Sequence, residues 1–279
     1  KKKNLKLIGI RDLHFHNNQV LISMMTQNDK GITIDIYSAE FNFEKLMFKN
    51  KFKTNEYWKE YNVFSGGRIE SFDNDNILFS IGFSYVKNSA QKKDSLLGKI
   101  IKINLISNTH EMVSMGHRNP QGLSYVKDLN LIINSEHGPK GGDEINFNYL
   151  NKTSKIKNFG WPIASYGEPY FGPNLFKKSH SKYGFIEPAI YFTPSIGISE
   201  ILYFKKNSFC KVRKCLLASS LRANSIYFLN FDNDNEQLVL VNRIHLKRNR
   251  IRDIDYDEDL DLVIMLSENI PSIVTLQKL

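Results

Sequence analysis

One pattern recurs along this chain and limits what it can fold into: a polar turn, then a short apolar run that ends in small or polar residues. His16-Asn17-Asn18 leads into Val20-Leu21-Ile22-Ser23-Met24, and Asp73-Asn74-Asp75-Asn76 leads into Ile77-Leu78-Phe79-Ser80-Ile81-Gly82. Lys127-Asp128 precedes an apolar run over residues 129–134, and Lys205-Lys206-Asn207 precedes, after a longer arm, Cys215-Leu216-Leu217-Ala218-Ser219-Ser220. Asp257-Glu258-Asp259 precedes Leu262-Val263-Ile264-Met265-Leu266-Ser267. The turns begin near 16, 73, 127, 205 and 257, so the spacings are 57, 54, 78 and 52 residues, and the long one must hold an insertion. Runs this short, bounded by turn residues, are strands rather than helices. A strand-and-turn unit repeated at such a period is the signature of a β-propeller. A β-sandwich with irregular loops is the rival. Helical periodicity is weak throughout; residues 40–49 read either as a short amphipathic helix or as a strand pair.

The repeat carries a prediction about function. Equivalent strands of a propeller run the same way, so the loops that follow them share a face. Those loops are residues 23–27, 82–85, 134–142, 219–224 and 267–269, and they are rich in Ser, Asn, Gly and charge. A composite pocket on that face is the expected site. The densest polar stretch is residues 116–162, where two Gly- and Pro-punctuated loops flank the third apolar run. The insertion that follows includes residues 160–173, rich in Gly, Pro, Tyr and Trp, a candidate lid or wall for a flat ligand.

Composition narrows the partners. The 279 residues are long enough for a sizeable core in one or two domains, and no run approaches the roughly 18 apolar residues of a membrane span. Net charge is +9. The lysines are scattered, with short runs at 1–3, 92–93, 177–178 and 205–206, and aromatics do not interleave with them, so a solvated basic surface is expected and no nucleic acid. The two cysteines, Cys210 and Cys215, could form a bridge across a hairpin or stand as two thiols. No Cys-x-x-Cys pair supports a zinc site.

Gly116-His117-Arg118-Asn119-Pro120-Gln121-Gly122-Leu123, then Ser135-Glu136-His137-Gly138-Pro139-Lys140-Gly141-Gly142-Asp143-Glu144-Ile145-Asn146, then Asn158-Phe159-Gly160-Trp161-Pro162 form an ordered set. With Gly66-Gly67-Arg68, Ala90-Gln91, Leu97-Gly98-Lys99, Pro194-Ser195-Ile196 and Arg250-Ile251-Arg252-Asp253, the set resembles the soluble pyrroloquinoline-quinone (PQQ) sugar dehydrogenases, especially the bacterial aldose sugar dehydrogenases, from about residue 60 to the end. The resemblance implies a six-bladed all-β propeller as one domain over 1–279, with room for an incomplete first blade and a natural start upstream of residue 1. It implies a periplasmic or secreted protein without a membrane span, and oxidation of a sugar at its anomeric carbon by hydride transfer to PQQ, then to an electron acceptor.

Site residues follow from the same resemblance. Arg118 and Asn119 correspond to quinone contacts; the fork of an arginine pairs bidentately with carboxylates. Arg250 and Arg252 match cationic contacts, and residues two apart on a strand point the same way. Arg222 stands where relatives have Lys, and Ser195 matches a small hydroxyl beside the cofactor. Gly138 and Pro139 resemble the loop whose carbonyls meet the cofactor's calcium, and Glu144 with the Phe159 carbonyl matches a second, structural calcium. Oxygen donors of this kind suit calcium.

The chain also departs from the family pattern. The proton-accepting His expected just before Gly66-Gly67-Arg68 is Phe64, a usual Gly-Asp reads Gly82-Phe83, and Glu200 replaces a usual Gly. Phe cannot accept a proton, so no catalytic residue is assigned. His117, His137, His14 and His16 are candidate replacements that no spacing selects among. Two main readings follow: a sugar dehydrogenase with another base or substrate, or an inactive propeller that keeps a ligand and calcium site as a binding module. A calcium-dependent propeller hydrolase is a third, without support in the spacing of the acids.

Overall fold

The computed structural model describes residues 5–60, 64–151, 155–204, 214–232 and 237–277. Its strands are β1 (Lys6–His16), β2 (Gln19–Asn28), β3 (Gly31–Glu40), β4 (Lys49–Lys53), β5 (Gly66–Ser71), β6 (Asn76–Ile81), β7 (Lys99–Asn104), β8 (His110–Met115), β9 (Pro120–Val126) and β10 (Leu131–Glu136). They continue with β11 (Asp143–Tyr149), β12 (Lys157–Asn158), β13 (Ile190–Phe192), β14 (Ile198–Phe204), β15 (Cys215–Ser220), β16 (Ser225–Asp232), β17 (Gln237–His245), β18 (Ile251–Asp257), β19 (Leu262–Ser267) and β20 (Ser272–Gln277). They form five sheets, in the orders β1-β2-β3-β4, β5-β6-β7-β8-β12, β9-β10-β11-β13, β14-β15-β16-β17 and β18-β19-β20. The fold is an all-β propeller with five blades among the described residues.

The expected count of six is therefore corrected to five. The turn-and-strand repeat occurs five times in the residues, and each occurrence builds one sheet; the sixth came from the resemblance alone. Nor is the first blade incomplete, since β1 to β4 make a full four-stranded sheet. Each recurrent apolar run is the second strand of its sheet: β2, β6, β10, β15 and β19. That position has a neighbour on either edge and a packed face, which is why these runs are the most apolar.

The turns that announce them close by local chemistry. Asn17 and Asn18 sit at φ 45° and 61°, the left-handed pair that a two-residue hairpin requires. Asp73 accepts the N–H groups of Asp75 and Asn76 through Oδ1, and Asp257 does the same for Asp259 and Leu260. In the third unit a single 3-10 turn, Lys127–Leu129, ends on left-handed Asn130, so the strand starts at Leu131, two residues later than expected. The turn expected at 205–207, the lysines at 1–3 and Cys210 lie outside the described residues. Cys215 is buried and is not a free thiol. Residues 23–27, expected to be a loop, continue β2 to Asn28. Residues 41–48 are neither helix nor strand.

The chain divides into two compact units, residues 1–120 with 151–163, and residues 121–150 with 164–279. In unit 1 one core joins the first two sheets through Leu21, Met25, Ile34, Ile36, Ile77 and Phe79. In unit 2, β15 shows how the core is built. Successive side chains of a strand point to opposite faces. Leu216 and Ala218 enter the cluster with Ile133, Ile145 and Ile198, while Cys215 and Leu217 enter the one with Ile251, Val263 and Met265. A strand buried on both faces reads as an unbroken apolar run, which is what Cys215-Leu216-Leu217-Ala218 is. The expected insertion is present: after β11 the chain lends β12 to the second sheet, pairing parallel with β8, before β13 returns to the third.

Candidate functional site

In unit 1 the Arg118 loop is one of several stitched together backbone to backbone. Gly82 N–H donates to the Ser65 carbonyl at 2.9 Å, Ser84 N–H to Phe64 at 3.1 Å and Phe83 N–H to Arg118 at 3.0 Å. His117 N–H donates to Gly98, and Trp161 N–H to Gly116. A Cβ on Gly82 would run into the Phe64 carbonyl, so this close passage requires glycine. Beneath these loops lies fully buried Lys99, whose Nζ donates to the carbonyls of Ser89, Ala90 and Leu97. The Ala90 carbonyl also accepts the Gly116 N–H, which ties this anchor to the loop bearing Arg118.

The side chains carried by these loops converge on one cation. Arg118 is 3% exposed. Its guanidinium carbon lies 4.4 Å from the Phe64 ring centre and 5.2 Å from that of Trp161. Phe83 packs edge-on against Trp161 at 5.4 Å, and Tyr85 meets Phe64 at 4.7 Å and Phe83 at 5.1 Å. Both aromatic departures, Phe64 and Phe83, thus belong to one aromatic box around Arg118. A desolvated guanidinium against a ring face gains about 2 kcal/mol. Asn119 is also buried, and its Oδ1 accepts the Gly66 N–H at 3.3 Å. His117 stacks on Phe159 at 4.9 Å and bonds Ser114 Oγ through Nε2 at 2.8 Å. His14 and His16 bond Ser71. These three histidines therefore have structural partners.

Unit 2 gathers a second set around a residue the sequence reading passed over. Asp143 is fully buried at the start of β11. One carboxylate oxygen accepts the Gly138 N–H at 3.1 Å; the other accepts those of Gly197 and Ile198 at 2.7 and 3.1 Å. This single side chain ties the Gly138-Pro139 loop to the segment carrying Ser195. That segment is bound in turn to the Arg222 loop, where the N–H groups of Leu221 and Arg222 donate to Gly197 and Ile196. Arg250 reaches the Leu221 carbonyl at 3.3 Å. Arg252 bonds Glu268 at 2.6 Å and Gln121 at 3.2 Å, and Arg250 lies 3.8 Å from the same Glu268 carboxylate. Hydrogen bonds thus link the segments that carry Gly138, Pro139, Ser195, Arg222, Arg250 and Arg252. The only signal for Asp143 was an acid beside Glu144 in a glycine-rich turn. Glu200 is explained locally: its Oε1 accepts the Leu123 N–H and lies where a side chain on Gly122 would have to go.

Glu144 faces Glu136 directly across the β10–β11 pair, and both are buried. Burial, then the opposed Glu136 carboxylate, pushes the Glu144 carboxyl well above its usual range. Glu136 Oε1 accepts from Asn146 Nδ2 at 2.7 Å and from Asn134 Nδ2 at 3.4 Å. The buried Oδ1 atoms of those two asparagines meet no donor among the described residues. His180 Nε2 stands 3.7 Å from Glu144, and Tyr166 stacks on His180 at 5.3 Å and on Tyr191 at 3.8 Å. The polar atoms around Glu144 are thus mainly oxygens, although among the described residues no group of three or more His, Cys, Asp or Glu side chains is arranged to hold a metal. Glu136 and His180 were missed, since nothing in the sequence spacing places His180 beside β11. Phe159, the carbonyl partner expected for Glu144, belongs to unit 1. The aromatic stretch 160–173 is divided between the units: Trp161 joins the Arg118 box, and Tyr166 the Glu144 surroundings.

The family model for Glucose / Sorbosone dehydrogenase matches residues 8–274, and the chain belongs to that family. It is 30% identical over 220 residues to the aldose sugar dehydrogenase YliI of Escherichia coli, covering 73% of this chain and 57% of that protein. The chain spans little more than half the length of the curated relatives it matches. Among solved structures it is similar to a glucose dehydrogenase, with a TM-score of 0.83, 24% identity, and coverage of 97% of this chain and 83% of that one. It is also similar to the PQQ-bound form of an aldose sugar dehydrogenase from Streptomyces coelicolor, with a TM-score of 0.69, 17% identity, and coverage of 99% and 81%. No helix of the described residues is long and apolar enough to cross a membrane.

Proposed function

We propose that this protein is a ligand-binding member of the sugar dehydrogenase family, one that recognises PQQ and calcium but does not oxidise sugars by the family's histidine-dependent route. One observation carries this reading: the Phe64 ring stands against the Arg118 guanidinium, where the resemblance expects a proton acceptor. PQQ, when bound, supplies a hydride acceptor. The reaction then needs a residue to take the hydroxyl proton, and an aromatic hydrocarbon has no lone pair for it.

The recognition half fits the residues present. Arg222, Arg250 and Arg252 are carried by hydrogen-bonded segments of unit 2, where Arg250 and Arg252 share the Glu268 carboxylate. Guanidinium forks suit the carboxylates of a planar quinone. The buried Glu136 and Glu144 carboxylates, with two asparagine oxygens that meet no protein donor, suit calcium. Arg118 fits less well, because it is buried with the Phe64 and Trp161 rings beside its guanidinium.

The test is reconstitution with PQQ and calcium, followed by absorbance spectroscopy and dye reduction with a panel of aldoses. The expected result is a calcium-dependent shift of the quinone spectrum without dye reduction, and dye reduction by the Phe64→His variant. Dye reduction by the unaltered chain would overturn the reading in favour of an active dehydrogenase, and an unshifted spectrum would remove the quinone from it.

A further inference from the structure

Unit 1 holds another convergence of side chains, which takes no part in the reading above. His14 and His16 lie two apart on β1 and so project from the same face of the strand. Both reach the last residue of β5: His14 Nε2 and His16 Nδ1 each lie 2.8 Å from Ser71 Oγ. A hydroxyl carries one proton and cannot donate to both rings. The tautomers follow from the far side of His16. Its Nε2 lies 3.1 Å from the Asn74 carbonyl, which accepts only from a protonated nitrogen, and 3.2 Å from Asn17 Nδ2, whose amide donates at 2.5 Å to that same carbonyl. His16 is then the Nε2–H tautomer, with its Nδ1 lone pair aimed at Ser71. Ser71 donates to that lone pair, and His14 Nε2–H donates to Ser71.

A backbone carbonyl behind an imidazole is the support that orients metal-ligating histidines. We infer that His14 Nε2 and His16 Nδ1 form a two-imidazole chelate for a late first-row divalent cation of the zinc, nickel and copper class, centred near the Ser71 hydroxyl. Imidazole nitrogen is the ligand this class prefers. The two nitrogens already converge on one point at 2.8 Å. A Zn–N bond is about 2.0–2.1 Å, so each ring needs to move by less than about 1 Å. On binding, His14 carries its remaining proton on Nδ1, the other neutral tautomer; the Ser71 hydroxyl turns aside from the point the ion takes, and water completes the coordination. Among the described residues no group of three or more His, Cys, Asp or Glu side chains is arranged to hold a metal. The site therefore rests on two nitrogens, and micromolar affinity is expected. A bound ion would fasten β1 to β5 beside the buried pair of Asp12 with Arg68, at 2.9 Å, and so pin the first sheet to the second.

The test uses the full chain without a histidine tag, titrated at neutral pH with zinc chloride alone by calorimetry. Copper(II) electron paramagnetic resonance gives a second readout. The expected result is one micromolar zinc site and a copper signal split by imidazole nitrogen. His14→Gln and His16→Gln should each weaken zinc at least about tenfold, while Ser71→Ala should retain it. Circular dichroism in chelator establishes that each variant is folded; if a glutamine variant is not, His14→Asn and His16→Asn replace it. No binding at millimolar zinc, or equal binding by the double histidine variant, would overturn the inference.

Discussion

Arg118 in unit 1 and the arginines of unit 2 carry the same charge and live in opposite surroundings. Arg118 is buried beside Phe64 and Trp161, while the side chains of Arg250 and Arg252 are each 40% exposed and share one carboxylate. The first cation is buried against the chain's own rings, and the second set reaches solvent. The contrast shows how a family's site can be altered in one half alone. Phe64 and Phe83 offer no proton acceptor and fill the space beside Arg118. In unit 2 the loops around Asp143 are polar and mutually bound.

The sharpest way to break this comparison is to put a base back into unit 1. Phe64→His should open the Arg118 box and raise the rate of quinone-dependent sugar oxidation by about 10²–10⁴, the usual contribution of a positioned base, measured by dye reduction. Asp143→Ala should be the most damaging change in unit 2. It strands the N–H groups of Gly138, Gly197 and Ile198, at about 1–3 kcal/mol for each that stays buried, so a loss of about 3–5 kcal/mol is expected in urea unfolding. Asp143→Asn, which keeps one acceptor oxygen, should lose less.

A smaller effect is expected from Glu144→Gln. The raised Glu144 carboxyl favours the folded state at low pH, and that contribution is lost as pH rises through its folded value. In chelator, the thermal midpoint of the unaltered chain should therefore fall as pH rises above the ordinary carboxylate range, while the glutamine variant stays level. Calcium should restore the unaltered chain and leave the variant unmoved. The smallest effect belongs to unit 1. Burial, with the neighbouring His16 adding to it, pulls His14 down to about 4. The unfolded chain takes up this proton near pH 6.5 and the folded chain refuses it until about 4, so stability is full above 6.5 and falls across that window. His14→Gln should remove about 1–2 kcal/mol of that acid sensitivity, read from urea midpoints between pH 4 and 7.

How far these features could be read from the sequence depended on whether they were local. The second strand of every sheet stood out because two-sided burial and hairpin chemistry both act within about ten residues. Asn17-Asn18 and Asp73 close turns that their own side chains explain. The Arg118 and Arg250 motifs were visible as well. What they touch was not, because a ring from residue 64 and a ring from residue 161 meet Arg118 through the packing of separate strands. Asp143 looked like a turn acid because its partners at 197 and 198 are some fifty positions away. His180 lies in an insertion that has no equivalent in the other repeats. The five blades of the described residues match the five turn-and-strand repeats, because each repeat builds one sheet.

The Arg118 box has an optical consequence. The chain has two tryptophans. Trp58 is buried in unit 1, bridged by its backbone to Ile32, so its surroundings hold while the sheet holds. Trp161 lies against a guanidinium and is only partly shielded from solvent, so its emission depends on the cation beside it. Anything that draws Arg118 away from the indole changes both the colour and the lifetime of that fluorescence. Unit 1 thus carries its own dye, and the opening of the box can be followed in unlabelled protein.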